Sequence, residues 1–287
     1  MTVRALYDAL RARLEEGGVE AAAFEADCLL EHFAGLGRGT RPLRNREEAP
    51  ETVVVAALSA AARRTRGEPL QYLLGEWDFL DLTLEVGEGV LIPRPDTELL
   101  CETAADWLRN TPVPVSAPCM TVLDLCAGSG CVALGTARLF PNVRVTAVEL
   151  SELALSYLRR NCARYPVFQV TPVQGDVLHD AAAFPDGWTA ILSNPPYIPA
   201  ADLPGLMPEV QREPRMALDG GGDGLAFHRV IASEWTKKLI PGGFCAVEVG
   251  IGQAAAVAAI FRDAGLTGVS VFRDLGGIER VVAGRRN

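Results

Sequence analysis

The stretch Thr121-Val-Leu-Asp-Leu125-Cys-Ala-Gly-Ser-Gly130-Cys-Val-Ala-Leu-Gly-Thr-Ala-Arg-Leu139 decides the fold. Val122 to Leu125 is a short apolar run of strand length, Cys126 to Gly130 is a glycine-rich turn, and Cys131 to Leu139 carries helical spacing. Strand, tight turn and helix in that order open a βαβ unit. The same alternation continues downstream. Val143 to Val148 reads as a strand ending in Glu149, and Ser151 opens a helix with Ala154, Leu155 and Leu158 on one face. Gln169 to Val173 reads as a third strand, ending near Gly175-Asp176, and a fourth ends at Asn194. Phe227 to Leu239 reads as a helix, Pro241-Gly-Gly turns into a strand over Phe244 to Val249, and Ala254 to Asp263 reads as a helix. Two last strands fall near Val269–Arg273 and Glu279–Val282. The pattern predicts an α/β chain with seven strands in a parallel, doubly wound sheet.

Ligands of such sheets bind at the carboxyl ends of the strands. The fourth strand ends there in Thr189-Ala-Ile-Leu-Ser-Asn194-Pro-Pro-Tyr197-Ile-Pro199. Proline lacks an N–H and has a restricted φ, so Pro195 and Pro196 stop the ladder and stiffen the loop. Asn194, preceding a proline, is held extended. A bland reading makes this a rigid turn. A sharper one is methylation of a planar nitrogen, whose lone pair is delocalised and weakly nucleophilic. Two fixed acceptors, the Asn194 side-chain oxygen and the Pro195 carbonyl, can take both N–H groups of an amide or exocyclic amine. That favours the more tetrahedral transition state over the ground state. Tyr197 can pack flat on the planar group, and no general base is required.

Asp124, the 126–130 turn and Glu149 form a second set at the same edge. Glycine lets a backbone come close to a ligand, and an acid after the second strand suits a ribose diol. Gly128 and Gly130 give G-x-G, but Ala133 stands where a dinucleotide motif has its third glycine. Asp124 gains nothing beside a pyrophosphate and suits a cationic group, which favours S-adenosylmethionine over NAD.

Residues 1–65 read as helices. Val3, Leu6, Leu10 and Leu14 line one, stopped by Gly17-Gly18; Ala21 to Phe33 is a second, with Phe24, Cys28 and Leu29 on its apolar face; Thr52 to Arg64 is a third. Trp77 to Leu84 alternates enough for a hairpin. The expected domains are 1–70, 71–95 as hairpin linker, and 96–287. Asp96 or Thr97 is a candidate N-cap for a helix to Arg109, and 110–118, with three prolines, is a breaker-rich spacer. The net charge is −9, contrary to the basic footprint of non-specific nucleic-acid binding. Seven cysteines with no Cys-x-x-Cys fit reduced thiols. The three histidines, His32, His179 and His228, are scattered, so no metal site is expected. No apolar run reaches the ~20 residues of a membrane span. The opening residues carry an acid early and have no apolar stretch, so no signal peptide is expected and the cytoplasm is the expected location.

The chain resembles the class I S-adenosylmethionine-dependent methyltransferases, and more narrowly the peptide chain release factor glutamine N5-methyltransferases. The resemblance rests on Pro69-Leu-Gln-Tyr72, Leu91-Ile-Pro-Arg-Pro-Asp-Thr-Glu98, Asp124-Leu-Cys-Ala-Gly-Ser-Gly130, Asn194-Pro-Pro-Tyr197, Glu213-Pro, Ala217-Leu-Asp-Gly220, Pro241-Gly-Gly243, Glu248, and Asp274-Leu-Gly-Gly with Arg280. It implies a Rossmann-like seven-stranded domain preceded by a small helical domain that recognises the release factor. The implied substrate is the glutamine of a Gly-Gly-Gln motif, held by Asn194 and Pro195, with Pro196 and Tyr197 shaping its slot. Implied S-adenosylmethionine contacts are Cys126, Ala127, Gly128, Ser129, Gly130, Glu149, Asp176 or Val177, and Asn194. A monomer with release factors as protein partners follows, with no direct nucleic acid and no membrane. The Asn-Pro-Pro-Tyr loop is shared with adenine-N6 and guanine-N2 methyltransferases, so a nucleic-acid amino methyltransferase is the rival. Two positions depart from the family. Glycine is usual where Cys126 stands, and threonine is frequent at Ala127; an ordinary φ at Cys126 and weak effects on binding are expected. His228 replaces a common tyrosine and reads as packing.

Overall fold

The computed structural model describes residues 1–111 and 119–287, so most of the expected 110–118 spacer lies outside the described residues. The chain divides into two compact units. Met1–Glu76 and Met207–Arg212 form one; Trp77–Leu206 and Glu213–Asn287 form the other.

The first unit is helical: α1 (Val3–Glu16), α2 (Ala22–Ala34), α3 (Glu51–Arg64) and a short α4 (Leu70–Leu74). Thr2 caps α1 through its hydroxyl, which accepts the Ala5 N–H at 3.2 Å. Leu6, Leu10 and Leu14 bury completely. On α2 the expected face is corrected: Phe24 is 54% exposed, while Glu25 and Asp27 are buried. These acids turn inward because each finds an arginine. Arg64 binds Glu25 at 2.7 Å and Glu209 at 3.4 Å, and Arg41 lies 3.0 Å from Asp27 with its guanidinium over the Tyr7 ring. A buried pair of this kind is strongly destabilising to break from one side. The stray segment 207–212 is held by Glu209 and by Arg212, which donates to the Arg66 carbonyl.

The second unit opens with a hairpin, β1 (Glu76–Phe79) and β2 (Leu82–Glu85), followed by α5 (Glu98–Asn110). The hairpin belongs to the core rather than to a free linker: Phe79, Leu82 and Leu84 pack in one cluster with Leu100, Val122 and Leu134. Then come β3 (Met120–Leu125), α6 (Cys131–Leu139), β4 (Val143–Glu149), α7 (Glu152–Arg164), β5 (Gln169–Gln174) and β6 (Trp188–Ser193). The chain ends with α8 (Ala226–Val230), β7 (Leu239–Glu248), α9 (Ala254–Asp263), β8 (Thr267–Arg273) and β9 (Glu279–Arg285). The sheet order is β5-β4-β3-β6-β7-β9-β8. Its first five strands are parallel, and β9 pairs antiparallel with both β7 and β8. Both faces are covered, as period-two alternation requires. Val122, Ala190, Leu192 and Ala246 enter one core cluster, whereas Leu123, Leu125, Ile191 and Val247 enter the other.

The helix expected over Phe227–Leu239 is interrupted. After α8 a π-helical turn spans Ile231–Trp235, then a 3₁₀ turn spans Thr236–Lys238. Thr236 back-bonds the Ala232 carbonyl at 2.6 Å, a side-chain competitor of the helix ladder. The extra residue accompanies a fully buried Trp235, whose indole N–H donates to the Val177 carbonyl. Among the described residues no helix is long and apolar enough to cross a membrane.

Candidate active site

The register places the site. Leu125, the last residue of β3, pairs with Val148 on one side and Ser193 on the other. Cys126, Glu149 and Asn194 therefore leave three adjacent strands at one carboxyl edge. An open cleft lies there. Cys126, Ala127, Gly128, Ser129, Glu149, Asp176, Val177, Asn194 and Pro196 line it. So do Leu91 to Arg94, Ser151, Met216 and Phe227, which the sequence did not single out as pocket residues.

The turn is built around positive φ. Gly128 has φ +56° and Gly130 +87°. A Cβ on Gly128 would meet nothing within 4 Å, so its glycine serves the backbone and leaves the floor open to a ligand; one on Gly130 would sit 2.5 Å from Leu158. Gly130 thus serves packing onto α7 and is not on the cleft wall. Cys126 has φ +62°, which corrects the expectation of an ordinary φ. The hydrogen-bonded geometry explains it: Ala127 must donate to the Val148 carbonyl at 2.9 Å, and the turn dictates the backbone whichever residue is present. The conformation costs a cysteine roughly 1–2 kcal/mol. Burial, then Glu149 and Asp124, push its thiol well up, so it stays protonated.

Glu149 accepts the Gly128 N–H at 2.8 Å through Oε2 and the Ser151 N–H at 2.7 Å through Oε1. It ties the turn to the start of α7 and keeps lone pairs for a diol. Burial raises its pKa. Asp124 is corrected: it is fully buried and does not line the cleft. Burial holds its carboxyl well above the usual range, opposed by the Ala133 N–H in α6. Both of its carboxylate oxygens are buried without a hydrogen-bond partner among the described residues. Asp176 spends Oδ1 on the Leu178 N–H and Oδ2 on His179.

Around the Asn-Pro-Pro-Tyr loop a second loop closes like a clasp. Ile198 donates to the Leu218 carbonyl and Gly220 to the Ile198 carbonyl, at 3.0 and 2.9 Å. A Cβ on Gly220 would lie 2.7 Å from the Tyr197 Cα, and one on Gly224 2.3 Å from the Tyr197 carbonyl. These glycines let two backbones touch. Glu213 accepts the Ile92 N–H and pairs with Arg94, tying the cleft's roof segment to the clasp. Pro195 and Tyr197 are not among the residues that line the cleft. The Tyr197 hydroxyl donates to Glu248 Oε1 at 3.2 Å. Asn194 Nδ2 donates to Thr97 Oγ1 at 3.0 Å, which leaves Oδ1 as the acceptor of that side chain. Thr97 does stand just before α5, but its side chain makes no capping bond; it serves Asn194 instead. Thr97 and Glu248 are the residues whose role sequence reasoning missed; their only signal was membership of the quoted motifs. His228 is fully buried and its Nε2 bonds the Glu248 carbonyl at 2.9 Å, a packing role.

The strand order, with the cleft at its carboxyl edge, defines a class I methyltransferase fold. A methyltransferase from Pyrococcus furiosus shares it, with a TM-score of 0.51 at 19% identity over 72% of this chain and 90% of that one. A profile described as methyltransferase domain matches residues 122–214, and one described as PrmC N-terminal domain matches residues 5–75. The release factor glutamine methyltransferase of Geobacter sulfurreducens is 41% identical over 99% of this chain and 96% of its own length. That of Moorella thermoacetica is 39% identical, over 92% and 91%. The chain belongs to the release factor glutamine methyltransferase family.

Proposed function

We propose that this protein transfers a methyl group from S-adenosylmethionine to the side-chain amide nitrogen, N5, of the glutamine in the Gly-Gly-Gln motif of peptide chain release factors. The observation that carries the reading is the orientation of Asn194. With Nδ2 given to Thr97, Asn194 keeps Oδ1 as an acceptor at the cleft, and the Pro195 carbonyl next to it in the chain is the second acceptor of this reading. Held by both N–H groups, the glutamine amide turns its lone pair out of conjugation and towards the methyl donor. The cleft fits S-adenosylmethionine: an open glycine floor at Gly128, a carboxylate at Glu149 and a polar wall at Asp176. When bound, it supplies an electrophilic methyl on a sulfonium. Tyr197, fixed through its hydroxyl to Glu248, sets the wall of the slot. Burial, then the neighbouring Glu248, push the Tyr197 hydroxyl's pKa up, so it remains a donor. The amide proton becomes acidic only after transfer and leaves to solvent.

Tritiated methyl transfer to purified release factor, compared with DNA and RNA, tests this. Label on release factor that vanishes when its motif glutamine is replaced supports it; label on nucleic acid alone overturns it. Asn194→Ala is expected to lower turnover ~10²–10³-fold, as for loss of one oxyanion-type partner. The helical unit is the candidate for recognising the release factor, since the cleft residues all lie in the second unit. A chain starting at Trp77 is expected to bind cofactor if it folds and to lose methylation of whole release factor.

A further inference from the structure

The substrate nitrogen has to reach Asn194 from the flank that the cofactor does not fill, and that flank carries exposed apolar side chains. Among the described residues, none after Phe227 lines the cofactor cleft. Tyr197 leans the other way, towards β7. Its hydroxyl meets Glu248, its carbonyl accepts from Gln253 Nε2 at 2.8 Å, and a Cβ on Gly250 would lie 3.2 Å from its ring. The register carries this edge further. Ser193 pairs with Val247 and Val247 with Val282, while Val249 donates to the Arg280 carbonyl. The turn after β7 (250–253) and the turn joining β8 to β9 (274–278) therefore leave the sheet at the same edge as Asn194. Each presents a large apolar side chain to solvent: Ile251 is 74% exposed and Leu275 wholly so, with Ile278 also exposed. We propose that Leu275, with Ile251, is a docking point for an apolar surface of the release factor beside its Gly-Gly-Gln loop.

The tip that carries Leu275 is held in place before any partner arrives. Asp274 donates its N–H to the Ile278 carbonyl, accepts the Ile278 N–H through Oδ1 and offers its carbonyl to Gly277, each at 2.9 Å. Arg273 donates to the Gly277 carbonyl at 2.7 Å. Asp274 Oδ2 accepts from Arg280 Nε at 2.9 Å, and Arg280 also holds Asp96 at 2.8 Å. Asp96 precedes Thr97, the partner of Asn194, so the tip is braced on the segment that orients the catalytic amide. A turn fixed in this way loses little freedom when it is covered, which strengthens binding. A single exposed leucine is ordinary on a protein surface. Two on adjoining turns, at the mouth of a site that must admit another protein, form a contact surface. The Gly-Gly-Gln motif needs one: its glycines have no side chains, and one glutamine buries far less area than a specific protein interface does. The net charge of −9 disfavours a polyanion as the occupant.

The inference rests on release factor methylation as the reaction, and the test separates the two. Steady-state rates with whole release factor, release factor Kd and S-adenosylhomocysteine Kd by calorimetry, and thermal midpoint are measured on the same samples. Both side chains face solvent, so Leu275→Asp and Ile251→Asp should keep the wild-type midpoint and S-adenosylhomocysteine Kd. Each should raise KM and Kd for release factor about tenfold or more, as for loss of an interface anchor. At saturation kcat should stay within about twofold, because the lost contact is made equally before and during transfer. Leu275→Met, apolar and of similar size, should restore both constants. Val167→Asp is the control: Val167 is 78% exposed and lies ahead of β5, at the opposite edge of the sheet, and its change should alter neither constant. KM and Kd within about twofold of wild type in the variant carrying both changes overturn the proposal. So does an equal loss in Val167→Asp, or a fall in kcat matched by weaker S-adenosylhomocysteine binding. A wild-type dimer that Leu275→Asp disperses in light scattering, with release factor binding unchanged, puts a second copy on the tip and overturns it too. Absence of methylation by wild type overturns the assigned reaction instead, and the release factor Kd still decides the role of the tip.

Discussion

Cys126 offers a test that separates backbone strain from side-chain packing. Its φ of +62° is a conformation that glycine adopts freely and an L side chain reaches at roughly 1–2 kcal/mol. Cys126→Ala keeps the strain and removes the sulfur, which packs partly buried against the cluster containing Leu125 and Val249; loss of one methylene-sized group costs about 0.8 kcal/mol. Cys126→Gly loses the same atom and the Cβ but releases the strain. Against that stands glycine's greater freedom in the unfolded chain, about 0.4–1 kcal/mol. The glycine variant should therefore exceed the alanine variant by about 0.5–1 kcal/mol and lie near wild type. Cys126→Val, β-branched at positive φ, should be the least stable. Urea titrations followed by circular dichroism measure all three, with the slope checked for constancy. An alanine variant at least as stable as the glycine variant would refute the strain argument.

Glu149→Ala leaves the N–H groups of Gly128 and Ser151 without their acceptor, and should weaken S-adenosylmethionine binding by ~1–3 kcal/mol in calorimetry. Gly220→Ala forces a Cβ into the Tyr197 backbone; it should cut turnover by moving the loop, with cofactor Kd nearly unchanged in the same binding assay. Stability should also depend on pH through Glu248. Its folded pKa of about 7 lies above the ordinary 4.5. The uncharged carboxyl's favourable contribution is complete below pH 4.5 and is lost as pH rises through 7, by ~3 kcal/mol. Glu248→Gln should flatten that part of the stability curve, and an unchanged slope in denaturant titrations from pH 4.5 to 8 would contradict it.

What was legible in the chain was whatever has a period or a stop signal. The strands around Leu123, Ile191 and Val247 announced themselves by apolar runs, and the turn by Gly128 and Gly130. The conformation of Cys126 was hidden because the turn's hydrogen bonds impose it, not the residue. Phe24 misled because α2 turns on two buried ion pairs that a hydrophobic pattern does not encode. The burial of Asp124 away from the cleft lining was not legible, because a strand-end acid can face either the ligand or the protein beneath the turn. Thr97 was invisible as the partner of Asn194, because nothing local marks a contact 97 residues apart.

The six residues Met207–Arg212 count with the helical unit although both flanks belong to the other. The polypeptide thus crosses between its units three times, at Glu76, Leu206 and Arg212. A recombination event that swapped the leading helices for those of a relative would bring a new socket for Glu209 while keeping the old plug. Arg64, Glu25 and Glu209 would have to be inherited or redesigned as a set. Chimeras of this protein should accordingly exchange two pieces of gene, and those that exchange only the first are expected to be the insoluble ones.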